Sequence, residues 1–216
     1  MCANYHPVTA RDRLLQYFGV DRPAEVAPPE MAFPLSLAPF IVRAEDRVAM
    51  ERELKLGQFG LLPYWAKDIA FGRRTYNARS ETAAEKPSFK DAWARGRRCI
   101  VPAEAIFEPN WESGKAERWR IARRDGKPMG IAGLWGWWRE RESGREVLSF
   151  TMLTVNADGH ELMQRFHRPG EEKRMVVILD EAEYSAWLDC PPERMASFMR
   201  RFPAELLEAE AAPLRR

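Results

Sequence analysis

The chain predicts an α+β fold: a single domain with a mainly antiparallel, barrel-like sheet flanked by helices. Three observations predict it. Apolar, β-branched and aromatic runs at 98–102, 117–122, 129–138 and 147–155 follow one another, punctuated by Gly126, Gly130, Gly133 and Gly144, as strands joined by tight turns do. Helical patterns flank these runs without the strict alternation that a parallel βαβ sheet needs. With 216 residues, 45% hydrophobic and 11% aromatic, the chain can enclose one generous core.

Taken in order, an extended stretch ends near Val8, and a helix follows in which Thr9 is the expected cap, Asp12 its reciprocal partner, and Leu14, Leu15 and Phe18 the inward face. A Pro-rich connector over 23–39 leads into an extended hairpin over 40–62, where Ile41, Val48, Met50, Leu54 and Leu56 alternate with charged residues. Ser80 opens a short helical segment that Pro87 interrupts, and Ser88 with Asp91 marks a second carrying Phe89 and Trp93. After the central strands come a helix at 161–166, a strand at 175–179, a helix capped by Asp180, and another begun by Pro191 and Pro192. The main domain is placed at 1–202, and 203–216 reads as a surface helix fraying into a tail.

Composition narrows the function. Three cysteines at 2, 99 and 190, without a CxxC pair, argue against a disulfide framework and for a reducing, cytoplasmic setting. Cys99 and Cys190 lack ligand spacing with any histidine, so neither a metal site nor a cofactor is expected. No signal-peptide pattern opens the chain, and the longest uncharged run, 31–42, is too short for a bilayer and broken by Pro34 and Pro39; a soluble monomer is expected. The formal charge is only +2, yet arginines gather at 73, 74 and 79, at 95, 97 and 98, and at 118, 120, 123 and 124, interleaved with Trp93, Trp111 and Trp119. That pattern suits either solvated faces or a groove for a phosphate backbone with aromatic platforms.

Cys2 carries the sharpest chemical content. Removal of Met1 would leave an α-amine and a thiol on one residue, a 1,2-aminothiol. Such a group condenses with an aldehyde to an imine and then closes, by thiol addition, to a thiazolidine. An amine titrating at about 7.7 is partly neutral at physiological pH, as imine formation requires.

The run Tyr76-Asn77-Ala78-Arg79-Ser80-Glu81-Thr82, together with Cys2, Gly60-Leu61-Leu62-Pro63-Tyr64-Trp65, Arg98-Cys99-Ile100-Val101-Pro102-Ala103 and Phe107-Glu108, resembles the SOS response-associated peptidase family. The resemblance runs from Cys2 to about Leu188. It implies a DNA-damage protein, nucleoid-associated, that binds single-stranded DNA and crosslinks to abasic sites through its N-terminal cysteine. Carried over by position, Cys2 is the nucleophile, Asn77 orients its amine or thiol, Glu108 is acid or base, and His167 assists sugar ring opening and proton transfer. The same resemblance puts Arg79, Arg174, Trp65, Asn4, Arg73 and Arg74 on the DNA-binding side. The residue types fit the chemistry: a closed hemiacetal must be opened by acid and base before its aldehyde can react, and a carboxyl with an imidazole supplies both. Glu108, beside Ile106 and Phe107, gains a raised pKa if it is buried.

The sequence departs from that pattern in places. The terminus reads Cys2-Ala3-Asn4 where relatives carry Cys-Gly-Arg, Phe59 replaces a tryptophan before Gly60, and residues 168–173 are inserted between His167 and Arg174. His160, at a helix start, is read as a cap or surface residue, while His6 stays a candidate helper for Cys2. Two other readings stand beside the crosslinking one. The first is a cysteine-dependent peptidase or amidohydrolase using Cys2, His167 and Glu108. The second is a single-strand binding module that has lost the reaction.

Overall fold

The computed structural model describes residues 2–22, 29–45 and 51–214. Among them, eleven strands form one mixed sheet: β1 (Asn4–Pro7), β2 (Leu37–Arg43), β3 (Arg52–Phe59), β4 (Asn77–Arg79), β5 (Arg98–Asn110), β6 (Glu117–Arg123), β7 (Met129–Arg139), β8 (Glu146–Asn156), β9 (Arg174–Val176), β10 (Ile178–Leu179) and β11 (Leu207–Ala211). Three short α-helices accompany them: α1 (Arg11–Phe18), α2 (Lys90–Ala94) and α3 (Tyr184–Asp189). The expected α+β class and the dominance of antiparallel pairing hold. Strands β5, β7, β8, β3 and β2 pair in a ring, but two seams are thin: β2 meets β5 only at Ile41 and Ile100, and β3 meets β8, in parallel, only at Gln58–Ser149 and Phe59–Phe150. Closure is therefore irregular, and the sheet is not a clean barrel. On one face of this ring Tyr5, Phe40, Phe59 and Phe150, all fully buried, pack ring against ring, while Ile41 and Leu134, equally buried, point to the opposite face.

Several local expectations are corrected. Helix α1 is preceded by Ala10 with no side-chain cap, so Thr9 does not serve, and Leu15 is 53% exposed while Leu14 and Phe18 face the core; the helix ends at Gly19 in the left-handed region. Pro39 lies inside β2 opposite Leu56 rather than in a connector; residues 23–28 of that connector, and Val48 and Met50 of the hairpin, fall outside the described residues. Ser80 opens consecutive turns, in which Thr82 and Lys86 bond back to Arg79 and Thr82, instead of a helix. The segments at 163–165, 181–183 and 192–198 are 3₁₀ turns, and Asp180 makes no cap bond. Residues 207–211, expected as helix or tail, pair antiparallel with β6 from Leu207–Arg123 to Ala211–Trp119. An exposed edge strand offers unpaired backbone groups, and this short segment satisfies them, which outweighs its Ala- and Glu-rich helix propensity.

Gly60 shows how tightly the sheet is locked. Its φ of 127° is open only to glycine, and an added Cβ would overlap the Gly72 carbonyl. Gly60→Ala is expected to cost about 2 kcal/mol, read as a lowered denaturant midpoint with unchanged slope; an unchanged midpoint would remove this constraint.

Candidate active site

Strand β5 runs long, and Glu108 sits near its end, 3% exposed. Strand β1 pairs antiparallel with β5, Asn4 opposite Phe107, so the residues preceding Asn4 come alongside Glu108 and Pro109. Cys2 is thereby buried, 1% exposed, its thiol 3.3 Å from the Asn4 carbonyl and hydrogen-bonded by the Phe107 amide. Burial, and next the Glu108 carboxylate, push the thiol pKa well up.

Asn77 begins β4, which lies parallel to β8 with Asn77 opposite Met152. From there its Nδ2 donates to the Cys2 carbonyl at 2.7 Å. The amide thus grips the backbone of Cys2; its Oδ1 is buried and has no hydrogen-bond partner among the described residues.

His167 arrives from a different direction. The segment after β8 is stitched to the end of β5 by a bridge between Phe166 and Asn110 and by the His167 amide donating to the Pro109 carbonyl at 3.1 Å. His167 takes a left-handed conformation, φ 63°, uncommon for a non-glycine residue and a mark of a site held by its surroundings. Lys173 supplies part of that hold, donating to the carbonyls of His167 at 3.2 Å and Arg168 at 2.9 Å. The result places His167 Nε2 3.5 Å from Glu108 Oε2. Burial disfavours both charges: it raises Glu108 to about 7 and draws His167 down to about 4. Near neutrality the pair is a neutral imidazole beside a carboxyl that both gives and takes a proton.

The structure brings Cys2, Asn77, Glu108 and His167 together. It also adds Tyr76, half-buried, whose pKa is raised by burial and then by Glu108 and Cys2, so its phenol belongs to the same cluster. Its position directly before Asn77 was the only signal in the sequence. Asn4 shares a cleft of about 250 Å³ with Phe107, Glu108 and Arg118, whose guanidinium lies 3.4 Å from the centre of the Phe107 ring. Arg118 therefore sets a cation beside Asn4, where the terminus lacks an arginine. His6 shares the less buried face of β1 with Asn4.

The expected DNA-binding residues divide. Arg79, half exposed, pairs with Glu172 at 2.7 Å. Arg174 is 3% exposed and committed internally: it donates to Glu81 at 2.8 and 2.9 Å, to Glu172 at 2.8 Å, and to the Thr154 carbonyl and hydroxyl. As placed, its guanidinium faces these partners and not an open surface. Although burial opposes it, Arg174 holds Glu81 down to about 2. Trp65, packed edge-on against Phe71, lines a separate cavity of about 450 Å³ with Arg73 and Arg74. His160 caps as expected but is buried, 8% exposed: its Nδ1 accepts from the Met163 amide, which leaves Nε2 to donate to the Phe202 carbonyl. Among the described residues, no group of three or more His, Cys, Asp or Glu could hold a metal, and no helix is long and apolar enough to cross a membrane.

Cys2, buried, gripped through its carbonyl and set near a carboxyl–imidazole pair, defines a compact thiol, carboxyl and imidazole site. The chain belongs to the SOS response associated peptidase family, whose model matches residues 1–213. It is similar to the abasic site processing protein YoqW of Bacillus subtilis, 28% identical over 213 residues, covering 97% of this chain and 91% of that protein. The abasic site processing protein HMCES of Gallus gallus is 28% identical over 212 residues, covering 85% and 59%. A Bordetella bronchiseptica crystal structure superposes with a TM-score of 0.90 at 40% identity, over 99% of this chain and 100% of that one. A Bacteroides thetaiotaomicron structure, at 22% identity and a TM-score of 0.82 over 97% and 91%, shares the fold.

Proposed function

We propose that this chain processes abasic sites in single-stranded DNA, in the cytoplasm, by closing a thiazolidine between processed Cys2 and the deoxyribose aldehyde. The observation that carries the reading is the grip of Asn77 on the Cys2 carbonyl, 2.7 Å, beside the Glu108–His167 pair. Glu108 in its protonated form donates to the ring oxygen of the closed sugar while neutral His167 takes the proton of the anomeric hydroxyl, so the ring C–O bond breaks and the aldehyde is released. The α-amine of Cys2 adds to the carbonyl carbon, its surplus proton returning Glu108 to the acid form while protonated His167 gives its proton to the new alkoxide. The carbinolamine then loses one water to form the imine, Glu108 protonating the departing hydroxyl and recovering the proton from the nitrogen. The thiol then adds to the imine carbon, its proton going to the nitrogen. Relative to the free partners, the adduct lacks one water.

Arg79 and Arg118 flank the cluster as phosphate contacts, with Trp65, Arg73 and Arg74 further along the strand and Arg174 bracing Arg79's surroundings through Glu172. A peptidase reading also uses Cys2, His167 and Glu108, but it needs a thiolate. The upward drive on the Cys2 thiol and the downward drive on His167 weigh against that ion pair.

The test is an abasic oligonucleotide beside its tetrahydrofuran analogue, which has no latent aldehyde. Denaturing electrophoresis and intact mass should show a one-to-one adduct, lighter than the sum by a water, with the first only. No adduct, or equal adducts with both, overturns the reading. Because Glu172 occupies Arg79 as a phosphate would, Glu172→Gln is expected to tighten single-strand binding about threefold, measured by anisotropy at low salt. Weaker binding would show that Glu172 organises the site instead.

A further inference from the structure

The second basic group of the sequence, at 95, 97 and 98, plays no part in the site above. Arg98 donates to the Leu188 carbonyl, 3.0 Å, and Arg95 and Arg97, just past the end of α2, face the end of β7. With Tyr64, Trp137 and Arg139 they line a groove of about 490 Å³. Three guanidinium groups and one carboxylate line it: Asp91 accepts from Arg95, 2.7 Å, and Arg97, 3.4 Å, while Arg139 donates to the Gly144 carbonyl, 3.2 Å. Two aromatic side chains stand open to solvent, Tyr64 at 75% and Trp137 at 48% exposure. A residual positive charge beside open ring faces is poorly explained by stability, because exposed aromatics and like charges both cost it.

The groove is rigidly joined to the Trp65 cavity. Residues 63–66 form a turn closed by the Ala66 amide on the Pro63 carbonyl, 2.8 Å. Buried Trp138 donates from Nε1 to the Ala66 carbonyl at 2.9 Å, fastening that turn to β7 next to Trp137. Tyr64 and Trp65 are thus consecutive residues on one ridge, Trp65 lining the cavity with Arg73 and Arg74 and Tyr64 lining the groove with Arg95 and Arg97.

We propose that this groove is a second subsite for an unpaired nucleic-acid strand, taking nucleotides that flank the reacting one after the strand crosses the ridge at Tyr64 and Trp65. The inference rests on the function proposed above and extends it to strand length. Arg95, Arg97 and Arg139 meet phosphates, and Tyr64 and Trp137 take base faces. An unpaired strand is the occupant because ring faces stack on bases only when those bases are free of a duplex.

The experiment compares anisotropy of wild type and Trp137→Ala/Arg95→Ala on a short abasic oligonucleotide, on one extended by unpaired nucleotides, and on one extended as duplex. Both residues are exposed, and a thermal melt confirms that the variant folds. The unpaired extension should bind wild type more tightly, and the variant should lose about tenfold on it alone, with a salt slope smaller by about one. Short-oligonucleotide crosslinking should be unchanged. No loss on the extended strand, an equal loss on the short one, or a gain from the duplex arm alone overturns the subsite. Failure of wild type to crosslink the short oligonucleotide would count against the proposed function, read separately from the groove.

Discussion

Cys2→Ala is expected to abolish the stable adduct with abasic DNA while leaving reversible binding to the same oligonucleotide nearly intact. The variant keeps an α-amine after Met1 removal, so an imine can still form, but nothing closes it. An open imine hydrolyses, or invites β-elimination and strand cleavage. A denaturing gel should therefore show no shifted band without borohydride, and a faint one with it. Cys2→Ser should behave alike, since a hydroxyl is a much weaker nucleophile than a thiol of the same reach. Because the thiol is buried, these changes remove a small side chain among packed neighbours and should leave the fold standing. A full-yield stable adduct from Cys2→Ala would remove the thiol's ring closure from the reaction, and a full-yield adduct when a fused N-terminal extension blocks the amine would move the reaction to another nucleophile.

Glu108→Gln is expected to slow adduct formation by about 10²–10⁴-fold, the range for removing a positioned acid or base. It should also stabilise the protein at alkaline pH. Glu108 titrates at about 7 in the fold against an ordinary value of 4.5, so the native state holds this proton where the unfolded chain has lost it. Wild-type stability from this group therefore falls as pH rises from about 4.5 to 7, by on the order of 3 kcal/mol, and levels off above. His167 runs the other way: with its pKa drawn from 6.5 to about 4, stability rises with pH across that window. The two nearly offset in the wild type. In Glu108→Gln only the histidine remains, so the gap in melting temperature between variant and wild type should widen from pH 5 to pH 8. A constant gap would mean that Glu108 carries no raised pKa, and with it the acid role near neutrality would fall. The expected pairing of lost activity with gained stability is the usual sign of groups held for reaction rather than for folding.

Much of the fold was legible because strands announce themselves locally. The runs at 98–102, 117–122, 129–138 and 147–155 carry their own apolar pattern and turn glycines, and each is a strand in place. Short helices were less so. Thr9, Asp180 and Ser80 have the chemistry of caps, yet no cap bond forms from Thr9 or Asp180 and the Ser80 amide is claimed by the Thr154 carbonyl; one or two turns of helix gain too little from a cap to enforce it. Among the candidate residues, Cys2, Asn77, Glu108 and His167 were nameable through a resemblance, but their juxtaposition was not. Arg118 stood out only as one of a basic cluster, and Glu172 and Lys173 only as part of an inserted stretch, since a charged residue in a loop or strand looks alike whether it faces water or a carbonyl.

Residue types narrowed in advance which reaction could be proposed: Cys2, once Met1 is removed, would offer amine and sulfur together, and a carboxyl and an imidazole can move protons near neutral pH. Folding supplied the rest. Glu108 and His167 are far apart along the chain and meet because Phe166 bridges to Asn110. Their altered proton affinities, and the burial of Arg174 between Glu81 and Glu172, come from desolvation by segments distant in the chain. Propensity and pattern act over a few neighbouring residues, whereas water exclusion and charge proximity depend on what the whole chain stacks around a group.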